Sequence, residues 1–264
     1  MWGRMLSQDS PEVTQFFVRM AAAGNCCLML DYDGTLAPFS VDRAQAVPYP
    51  GVRECLVPIA DDDRTRLALV SGRSVVEVQK LLGLEAGIEY WGSHGAERID
   101  RAGNYTAYQL NESQTGGLDK ALAVVRGFAP ADRIERKPFS LALHWRGLEA
   151  ETAVSWGERV QPQLQAIAEG AALAVHQFNG GIEIRPADAT KASAVEQIVA
   201  EMKGNFVAAY MGDDLTDEDA FRALPAGSLG ILAGDAPRRS NAAVFLRRPD
   251  QILTFLRRWQ TECG

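Results

Sequence analysis

The sequence lacks an excess of positive charge and any apolar run long enough to cross a membrane. Of its 264 residues, 27 are lysine or arginine and 34 are aspartate or glutamate, giving a net charge of −7. A nucleic-acid-binding protein normally presents a basic face, so this charge argues against nucleic acid as a partner. No run approaches about 20 apolar residues, and no basic start leads into an apolar core. We therefore expect neither a membrane span nor a signal peptide.

Cysteine is scarce, and its four occurrences form no metal-binding pattern. Cys26, Cys27, Cys55 and Cys263 include no Cys-x-x-Cys pair, so neither a zinc site nor a disulfide framework is indicated. Reduced, buried thiols are typical of a cytosolic protein, and we expect a cytoplasmic location. The composition is otherwise that of a globular chain, with 47% hydrophobic residues. Its length suits one large α/β domain or a core with an inserted second domain.

An apolar run that ends in two carboxylates is the most informative stretch of the chain. Residues 27–30 (CLML) lead directly into Asp31 and Asp33, and Gly34 and Thr35 follow. The run predicts a strand buried on both faces, and charges at its tip must be solvated, paired or bound to a metal. Open α/β folds bind ligands beyond the carboxyl ends of such strands. Taken alone, the pattern is equally compatible with a solvated turn.

A second apolar strand, residues 67–70, also ends in groups suited to an anion. Ser71 and Gly72 follow it directly, and Ser74 with Glu77 predicts a capping box that begins a helix. A hydroxyl beside a helix N-terminus favours negative charge. Two strands with polar tips make a simple turn at Ser71 less probable than one strand alone would.

Lys191 is predicted to lie in the first turn of another helix. A cation there is unfavourable against the helix dipole unless an anion lies beside it. A solvent-facing lysine is the alternative. Near the end of the chain, Arg247 and Arg248 resemble a solvated basic pair.

An acidic cluster follows a further apolar strand, residues 206–211. It comprises Asp213, Asp214 and Asp217. Two carboxylates ~4 Å apart repel by roughly 4 kcal/mol at an effective dielectric of ~20, so a cluster near Asp31 calls for a cation. Oxygen ligands without histidine or cysteine indicate Mg²⁺ rather than zinc. Thr216 and Asp219 predict a capping box for the next helix.

The pattern changes to short strands around a long helix in the middle of the chain. Residues 139–145 and 181–185 alternate as strands do, and 149–168 read as a helix. This combination predicts an α+β module inserted into the larger sheet. The predicted bounds are 1–104 with 187–264 for the core and 105–186 for the module. The polar side chains that could line one face of the module are Lys137, His144, Arg146, Glu183 and Arg185. For Arg146, a solvated sheet face is an equal alternative.

Together these groups are the ones that phosphoryl transfer uses. A carboxylate nucleophile attacks phosphorus and forms an acyl phosphate. Mg²⁺ screens the repulsion between the two anions, while a lysine, hydroxyls and backbone N–H groups hold the phosphoryl oxygens. A second carboxylate protonates the leaving alcohol and then activates water.

The motifs resemble those of the haloacid dehalogenase superfamily of phosphatases, in the order that the superfamily uses. They are DYDGTL at 31–36, SGR at 71–73, Lys191, and GDDLTDED at 212–219. The resemblance implies an α/β fold: a Rossmann-like core with a mainly parallel sheet, plus an inserted α+β cap domain. It implies Asp31 as nucleophile and Asp33 as general acid/base. The implied phosphate-binding residues are Gly34, Thr35, Ser71, Gly72 and Lys191. The implied Mg²⁺ residues are Asp31, Asp33 through its backbone carbonyl, and Asp213, with Asp214 and Asp217 in support.

Within that superfamily the sequence is most similar to the trehalose-6-phosphate phosphatases. The similarity rests on residues 31–38, 92–97 (GSHGAE), the segment from Lys137 to 144–146 (HWR), and 183–186 (EIRP). It implies Mg²⁺-dependent hydrolysis of trehalose 6-phosphate by a cap that contacts the sugar hydroxyls. The implied sugar contacts are Lys137, His144 and Glu183, with Arg185 as a further candidate. The family usually has glycine after the motif lysine, where this chain has Ala192.

Other functions stay open at the level of the sequence. Related caps serve other phosphorylated glycosides, such as glucosylglycerol phosphate or mannosyl-phosphoglycerate. A non-catalytic sugar-phosphate sensor is a second alternative, although such a protein has no need of both Asp31 and Asp33. A two-component receiver domain is disfavoured because its acidic pair precedes the phosphorylated aspartate on an earlier strand, and because the chain is about twice the length of one compact domain. We expect a monomer whose partner is a small sugar phosphate.

Overall fold

The computed structural model describes residues 10–40, 43–178 and 180–263. These residues form two compact units. The larger contains the described residues up to Thr106 and from Lys191 onward, and the smaller contains Ala107–Thr190. The division into two units does not show what either unit does, so their roles as catalytic core and cap stay a prediction.

The strands and helices of both units are numbered together, in chain order. The strands, in chain order, are β1 (Asn25–Leu30), β2 (Thr65–Val70), β3 (Ile88–Gly92), β4 (Glu97–Ile99), β5 (Tyr105–Ala107), β6 (Ile134–Arg136), β7 (Leu141–His144), β8 (Leu173–Phe178), β9 (Gly181–Pro186), β10 (Phe206–Gly212), β11 (Leu229–Gly234) and β12 (Val244–Arg247). The helices are α1 (Pro11–Ala22), α2 (Val52–Asp61), α3 (Val75–Leu82), α4 (Glu112–Arg126), α5 (Ala150–Glu169), α6 (Lys191–Glu201), α7 (Asp217–Ala223) and α8 (Asp250–Cys263).

A mainly parallel sheet organises the larger unit. In the described part of the chain, its strand order is β12-β11-β10-β1-β2-β3-β4-β5. The pairings from β12 to β3 are parallel, and β4 joins β3 antiparallel. Strand β1 lies between β10 and β2, with Leu30 in register with both Met211 and Leu69. The carboxyl ends of these three strands therefore lie side by side, which places the residues that follow them at one edge.

Strand β1 is buried on both faces, as its unbroken apolar run predicts. Leu28 and Leu30 belong to one core cluster, whereas Cys27 and Met29 belong to another on the opposite face. The first cluster takes apolar residues from α1, α2, α3 and α8, and the second from α6 and α7. The mixed α/β fold with a mainly parallel sheet is thus confirmed. No helix of the described residues is both long and apolar enough to cross a membrane.

The smaller unit is an antiparallel sheet with helices on one face. Its strand order is β6-β7-β9-β8, and α4 and α5 supply the helices. Leu141, Leu143, Ile182 and Ile184 pack into one apolar cluster with residues of α4 and α5. Because side chains alternate along a strand, Glu183 and its neighbours two residues away lie on the other face.

One of the two predicted capping boxes is present. Ser74 and Glu77 form both of the reciprocal bonds that define the motif at the start of α3. The box predicted for Thr216 and Asp219 is wrong, because the hydroxyl of Thr216 takes no capping bond from the described residues. Thr216 has helical backbone angles rather than the extended ones that an N-cap requires, and Asp219 pairs with Arg222 instead.

Candidate active site

Asp31 extends from the end of the central strand into a buried ion-pair network. The side-chain nitrogen of Lys191 donates to Asp31 Oδ1 at 2.7 Å and to Asp217 Oδ1 at 2.7 Å. All three side chains are almost completely buried. Thr35 Oγ1 lies 3.5 Å from Asp31 Oδ2. The first turn of α6 therefore faces anions, as the position of its lysine predicts.

Asp217 organises the loop that follows β10. Its Oδ1 accepts bonds from Lys191 and, at 2.6 Å, from the hydroxyl of Tyr210. Its Oδ2 accepts the backbone N–H groups of Asp213 and Asp214 at 3.0 and 2.9 Å. The buried charge is thus satisfied by four donors, and the bonds fix the backbone that carries the two neighbouring aspartates.

Three of the predicted metal residues form a compact acidic cluster. Ligand atoms of Asp31, Asp213 and Asp217 lie within 4.8 Å of one another. Asp213 Oδ1 is buried and has no hydrogen-bond partner among the described residues. Burial raises the pKa of Asp31 to about 7; Lys191 opposes this rise and Asp217 adds to it. Burial, followed by Asp31 and Asp217, also raises the pKa of Asp213. The three carboxylates thus face one directly bonded ammonium group, that of Lys191, while the guanidinium of Arg248 lies 3.9 Å from Asp213 Oδ2.

The other two predicted metal residues direct their carboxylates elsewhere. Asp33 accepts two bonds from Arg73, at 2.6 and 2.7 Å. Asp214 Oδ1 accepts the backbone N–H of Leu215 at 2.7 Å. Their carboxylates thus lie outside the acidic cluster of Asp31, Asp213 and Asp217. Their backbones belong to the loops after β1 and β10, which also carry the cluster.

Two glycines of the predicted phosphate site are required by close approaches. Gly34 has φ +77°, and a Cβ there would lie 2.1 Å from Asp213 Oδ2. A Cβ on Gly72 would lie 2.6 Å from His94 Nε2. Ser71 is buried beside Gly72, and its Oγ accepts the N–H of Arg73 at 3.2 Å. Any larger residue at either glycine would displace a polar neighbour.

Three arginines near these loops were missed from the sequence. Arg73 directly follows the Ser71-Gly72 pair, which is a usable signal. Arg238 donates to the carbonyls of Asp213 and Asp214 at 3.0 and 2.9 Å, and its position in the chain gives no such hint. The prediction that Arg248 is merely solvated is wrong: it is partly buried and donates to the carbonyl of Gly34 at 2.7 Å. Arg238 and Arg248 come near these loops through the strand order, in which β11 lies beside β10 and β12 beside β11.

Within the smaller unit, the predicted polar residues fall into separate groups. Glu183 is buried; its Oε1 accepts from Ser140 at 2.7 Å and from Lys137 at 3.3 Å. Arg185 lies 3.5 Å from Glu183 Oε2 and donates to the carbonyl of Ala189 at 2.8 Å.

The two remaining polar positions of that unit are set apart from Glu183. His144 Nε2 is 2.8 Å from Glu135 Oε2. Arg146 lies against the turn at Gly180, where a Cβ would meet its Nε at 2.9 Å. The sheet pairs β7 with β9 so that His144 opposes Gly181, which puts His144 and Glu183 on the same face.

Comparison with known proteins identifies the family. The sequence model of the trehalose-phosphatases matches residues 29–248. The chain belongs to the trehalose-phosphatase family. It is 31% identical to the probable trehalose-phosphate phosphatase 9 of Oryza sativa subsp. japonica, over 96% of this chain and 75% of that protein. It is 30% identical to the probable trehalose-phosphate phosphatase 4 of the same organism, over 88% of this chain, and spans 65% of that protein's length.

The solved structures agree with this fold. The C-terminal domain of the trehalose-6-phosphate phosphatase of C. albicans superimposes with a TM-score of 0.84 at 21% sequence identity, covering 98% of this chain and 99% of that one. The resemblance to the trehalose-6-phosphate phosphatases is thereby confirmed at the level of the family. A solved phosphatase of the haloacid dehalogenase superfamily from Bacteroides thetaiotaomicron shares the fold, with a TM-score of 0.59 at 15% identity, over 89% of this chain and 95% of that one. The trehalose-phosphatase family consists of phosphoric monoester hydrolases.

Proposed function

We propose that the protein hydrolyses trehalose 6-phosphate to trehalose and phosphate, with Mg²⁺ as cofactor and an aspartyl phosphate on Asp31 as intermediate. The observation that carries the proposal is the buried carboxylate of Asp31, bonded to Lys191 inside the acidic cluster. Membership of the trehalose-phosphatase family narrows the substrate to this sugar phosphate. We also infer that the larger unit is the catalytic core and the smaller unit the cap.

The residues of the cluster fit Mg²⁺. The donor set contains only oxygen, and the unpartnered, buried Oδ1 of Asp213 is an atom that a cation would satisfy. Asp31, Asp213 and the backbone carbonyl of Asp33 would hold the ion, while Asp217 fits a supporting role because both its oxygens already accept hydrogen bonds. When bound, Mg²⁺ neutralises charge on the transferred phosphoryl group.

The first step transfers the phosphoryl group to the protein. A carboxylate oxygen of Asp31 attacks phosphorus, and the bond from phosphorus to the sugar oxygen breaks. Asp33, as the carboxylic acid, gives its proton to that oxygen, so trehalose leaves as an alcohol. Lys191 and the hydroxyls of Ser71 and Thr35 bind the phosphoryl oxygens, together with backbone N–H groups of the loops at Gly34 and Gly72.

The second step restores the enzyme. Asp33, now a carboxylate, takes a proton from water as the water oxygen attacks phosphorus. The bond from phosphorus to Asp31 breaks, which releases phosphate and regenerates the carboxylate. Lys191 remains beside Asp31 throughout and stabilises the charge that returns to it.

In the smaller unit, we infer that the sugar is contacted from the sheet face opposite the helices. Carboxylate, imidazole and ammonium groups bind hydroxyls by accepting and donating hydrogen bonds. The inferred contact residues are Lys137, His144, Arg146, Glu183 and Arg185. Glu183 is the central one, because Ser140 and Lys137 already hold its carboxylate in a fixed orientation.

The proposal is tested by measuring phosphate release from trehalose 6-phosphate with Mg²⁺ and with a chelator. Glucosylglycerol phosphate, mannosyl-phosphoglycerate and glucose 6-phosphate form the comparison panel. We expect metal-dependent release with a strong preference for trehalose 6-phosphate. Metal-dependent preference for another glycoside would reject the substrate and keep the chemistry, while chelator-resistant turnover would reject the metal. No release from any of them would reject the phosphatase itself.

A further inference from the structure

Arg73 holds the second carboxylate of the nucleophile loop by a two-pronged contact. Its Nε donates to Asp33 Oδ2 at 2.6 Å, and its Nη2 donates to Asp33 Oδ1 at 2.7 Å. A guanidinium that meets a carboxylate through two parallel bonds fixes the plane of the carboxylate as well as its position. The Asp33 side chain is 28% exposed and that of Arg73 only 3%. The buried partner therefore sets the orientation of the accessible one.

The arginine is itself fixed by the loop that carries it. Its backbone N–H donates to Ser71 Oγ at 3.2 Å, and its carbonyl accepts the N–H of Ser93 at 2.7 Å. Its guanidinium lies 5.9 Å from the centre of the Tyr32 ring. Gly92 approaches so closely that a Cβ there would lie 2.9 Å from the carbonyl oxygen of Arg73. A side chain supported in this way orients its partner without having to reorganise.

Different cations serve the two carboxylates of the loop. Lys191 is bonded to Asp31, whereas Arg73 is bonded to Asp33. We propose that Arg73 is a positioning residue, which holds Asp33 for both of its proton transfers. This inference rests on the proposed function, because it assigns a role inside that reaction.

The contact serves both proton transfers of the proposed reaction. The two nitrogens of Arg73 hold the carboxyl group of Asp33 from one side, so its orientation is the same when the sugar leaves and when water attacks. Arg73 thus acts on the reaction through Asp33.

A double-variant comparison tests this role. On trehalose 6-phosphate we expect R73Q and D33N each to lower kcat by about 10²–10⁴-fold, the range of general acid–base catalysis. In the double variant R73Q/D33N, kcat should fall by no larger a factor than in D33N alone, because Arg73 acts through Asp33. R73K, which offers a single point charge, should fall between R73Q and the unmodified protein.

Rapid-mixing kinetics with 4-nitrophenyl phosphate give a readout that a purely structural role would not move. Nitrophenolate leaves without needing a proton, so R73Q should still release it quickly in the first turnover. Hydrolysis of the aspartyl phosphate needs the base, so this second step should be slow in R73Q. We therefore expect a burst of nitrophenolate before the slow turnover. Its amplitude should approach one nitrophenolate per protein and exceed that of the unmodified protein.

Arg66 provides the matched control. Its Nε and Nη2 make the same two-pronged contact with Glu89, at 2.9 and 3.0 Å, near the opposite end of β2. R66K should lower the melting temperature and leave kcat and the burst unchanged. The same kinetic pattern in R66K would attribute the effect to lost stability and overturn the proposal.

Other results also overturn it. The proposal fails if the reductions in kcat of R73Q and D33N multiply in the double variant, or if R73K turns over at the rate of the unmodified protein. It also fails if R73Q loses the same factor in kcat on both substrates and shows no burst. Each result would show that Arg73 does not act through Asp33. If R73Q does not fold, R73K and R73K/D33N carry the comparison. If the unmodified protein cleaves 4-nitrophenyl phosphate but not trehalose 6-phosphate, only the proposed sugar substrate is rejected. The presence or absence of the burst in R73Q then tests the role of Arg73. An unmodified protein that cleaves neither rejects both proposals.

Discussion

At the scale of single residues, the site depends on groups that come closer together than ordinary side chains allow. A Cβ on Gly34 would lie 2.1 Å from Asp213 Oδ2, and the φ of Gly34 is +77°. The glycine therefore does two things: it permits the turn that follows β1, and it leaves room for an aspartate from another loop.

We expect G34A to lower the free energy of unfolding by about 1–3 kcal/mol and to reduce activity strongly. The added methyl group must displace Asp213 from the cluster, so the affinity for Mg²⁺ should fall as well. Gly103 is the matched control, because its φ of +86° imposes similar strain while a Cβ there meets nothing within 4 Å among the described residues. Chemical denaturation and phosphate release measure both variants. Equal activity losses in G34A and G103A would contradict the role of the close approach.

Asp31, the proposed nucleophile, gives a second prediction at this scale. D31N should abolish turnover, because an amide cannot form the acyl phosphate, while the fold persists since Asp217 still accepts from Lys191. Phosphate release measures the first effect and circular dichroism the second. Full turnover in D31N would reject Asp31 as the nucleophile.

At the scale of elements, an ion-pair network connects α6 to the sheet. Glu201, near the end of α6, accepts from Arg66 on β2 and from Arg98 on β4. Burial opposes the charged form of Glu201, but the bonds from Arg98 and Arg66 prevail and lower its pKa from 4.5 to about 2. The helix that begins at Lys191 is thereby anchored at its far end as well.

This shift predicts how stability depends on pH. A carboxylate whose pKa is lowered on folding contributes stability that is fully present above about 4.5 and is lost as the pH falls towards about 2. Glu201 is 37% exposed, so solvent screening reduces the contribution to about 1 kcal/mol, or about 2–4 °C in melting temperature.

E201Q should therefore melt lower than the unmodified protein at pH 7, and the gap should narrow as the pH falls below about 4.5. E196Q, at an exposed position of the same helix, serves as the control and should show no gap. Thermal denaturation at several pH values measures both. A gap that stays constant down to low pH would show that the charge of Glu201 is not the cause.

The sheet of the smaller unit gives a prediction about specificity. E183A should lower kcat/KM for trehalose 6-phosphate about 10²-fold more than for 4-nitrophenyl phosphate, because only the sugar offers hydroxyls to this carboxylate. E158A, at an exposed position of α5, should change neither value. Steady-state kinetics on the two substrates make the comparison, and matched losses on both would reject Glu183 as a sugar contact.

At the scale of the whole molecule, sequence patterns located the strands whose apolar runs are unbroken and the loops that follow them. The apolar runs before Asp31 and Asp213 were enough to predict β1 and β10, because a strand buried on both faces has a strong local pattern. Asp217 was expected only to support the metal, and its four hydrogen bonds became visible only with the loop in place. Arg238 and Arg248 could not be predicted, since their positions depend on strand order, which no local pattern records.

The position of β1 has a consequence for synthesis. Its register with β10 pairs Asn25 with Phe206, about 180 residues later in the chain. A ribosome adding about 5–20 residues per second takes roughly 10–35 s to bridge that interval. Throughout it, one edge of this largely apolar strand has no native partner, and such an edge pairs readily with other chains. The strand that leads to the proposed nucleophile is thus the one most in need of protection by chaperones while the protein is being made.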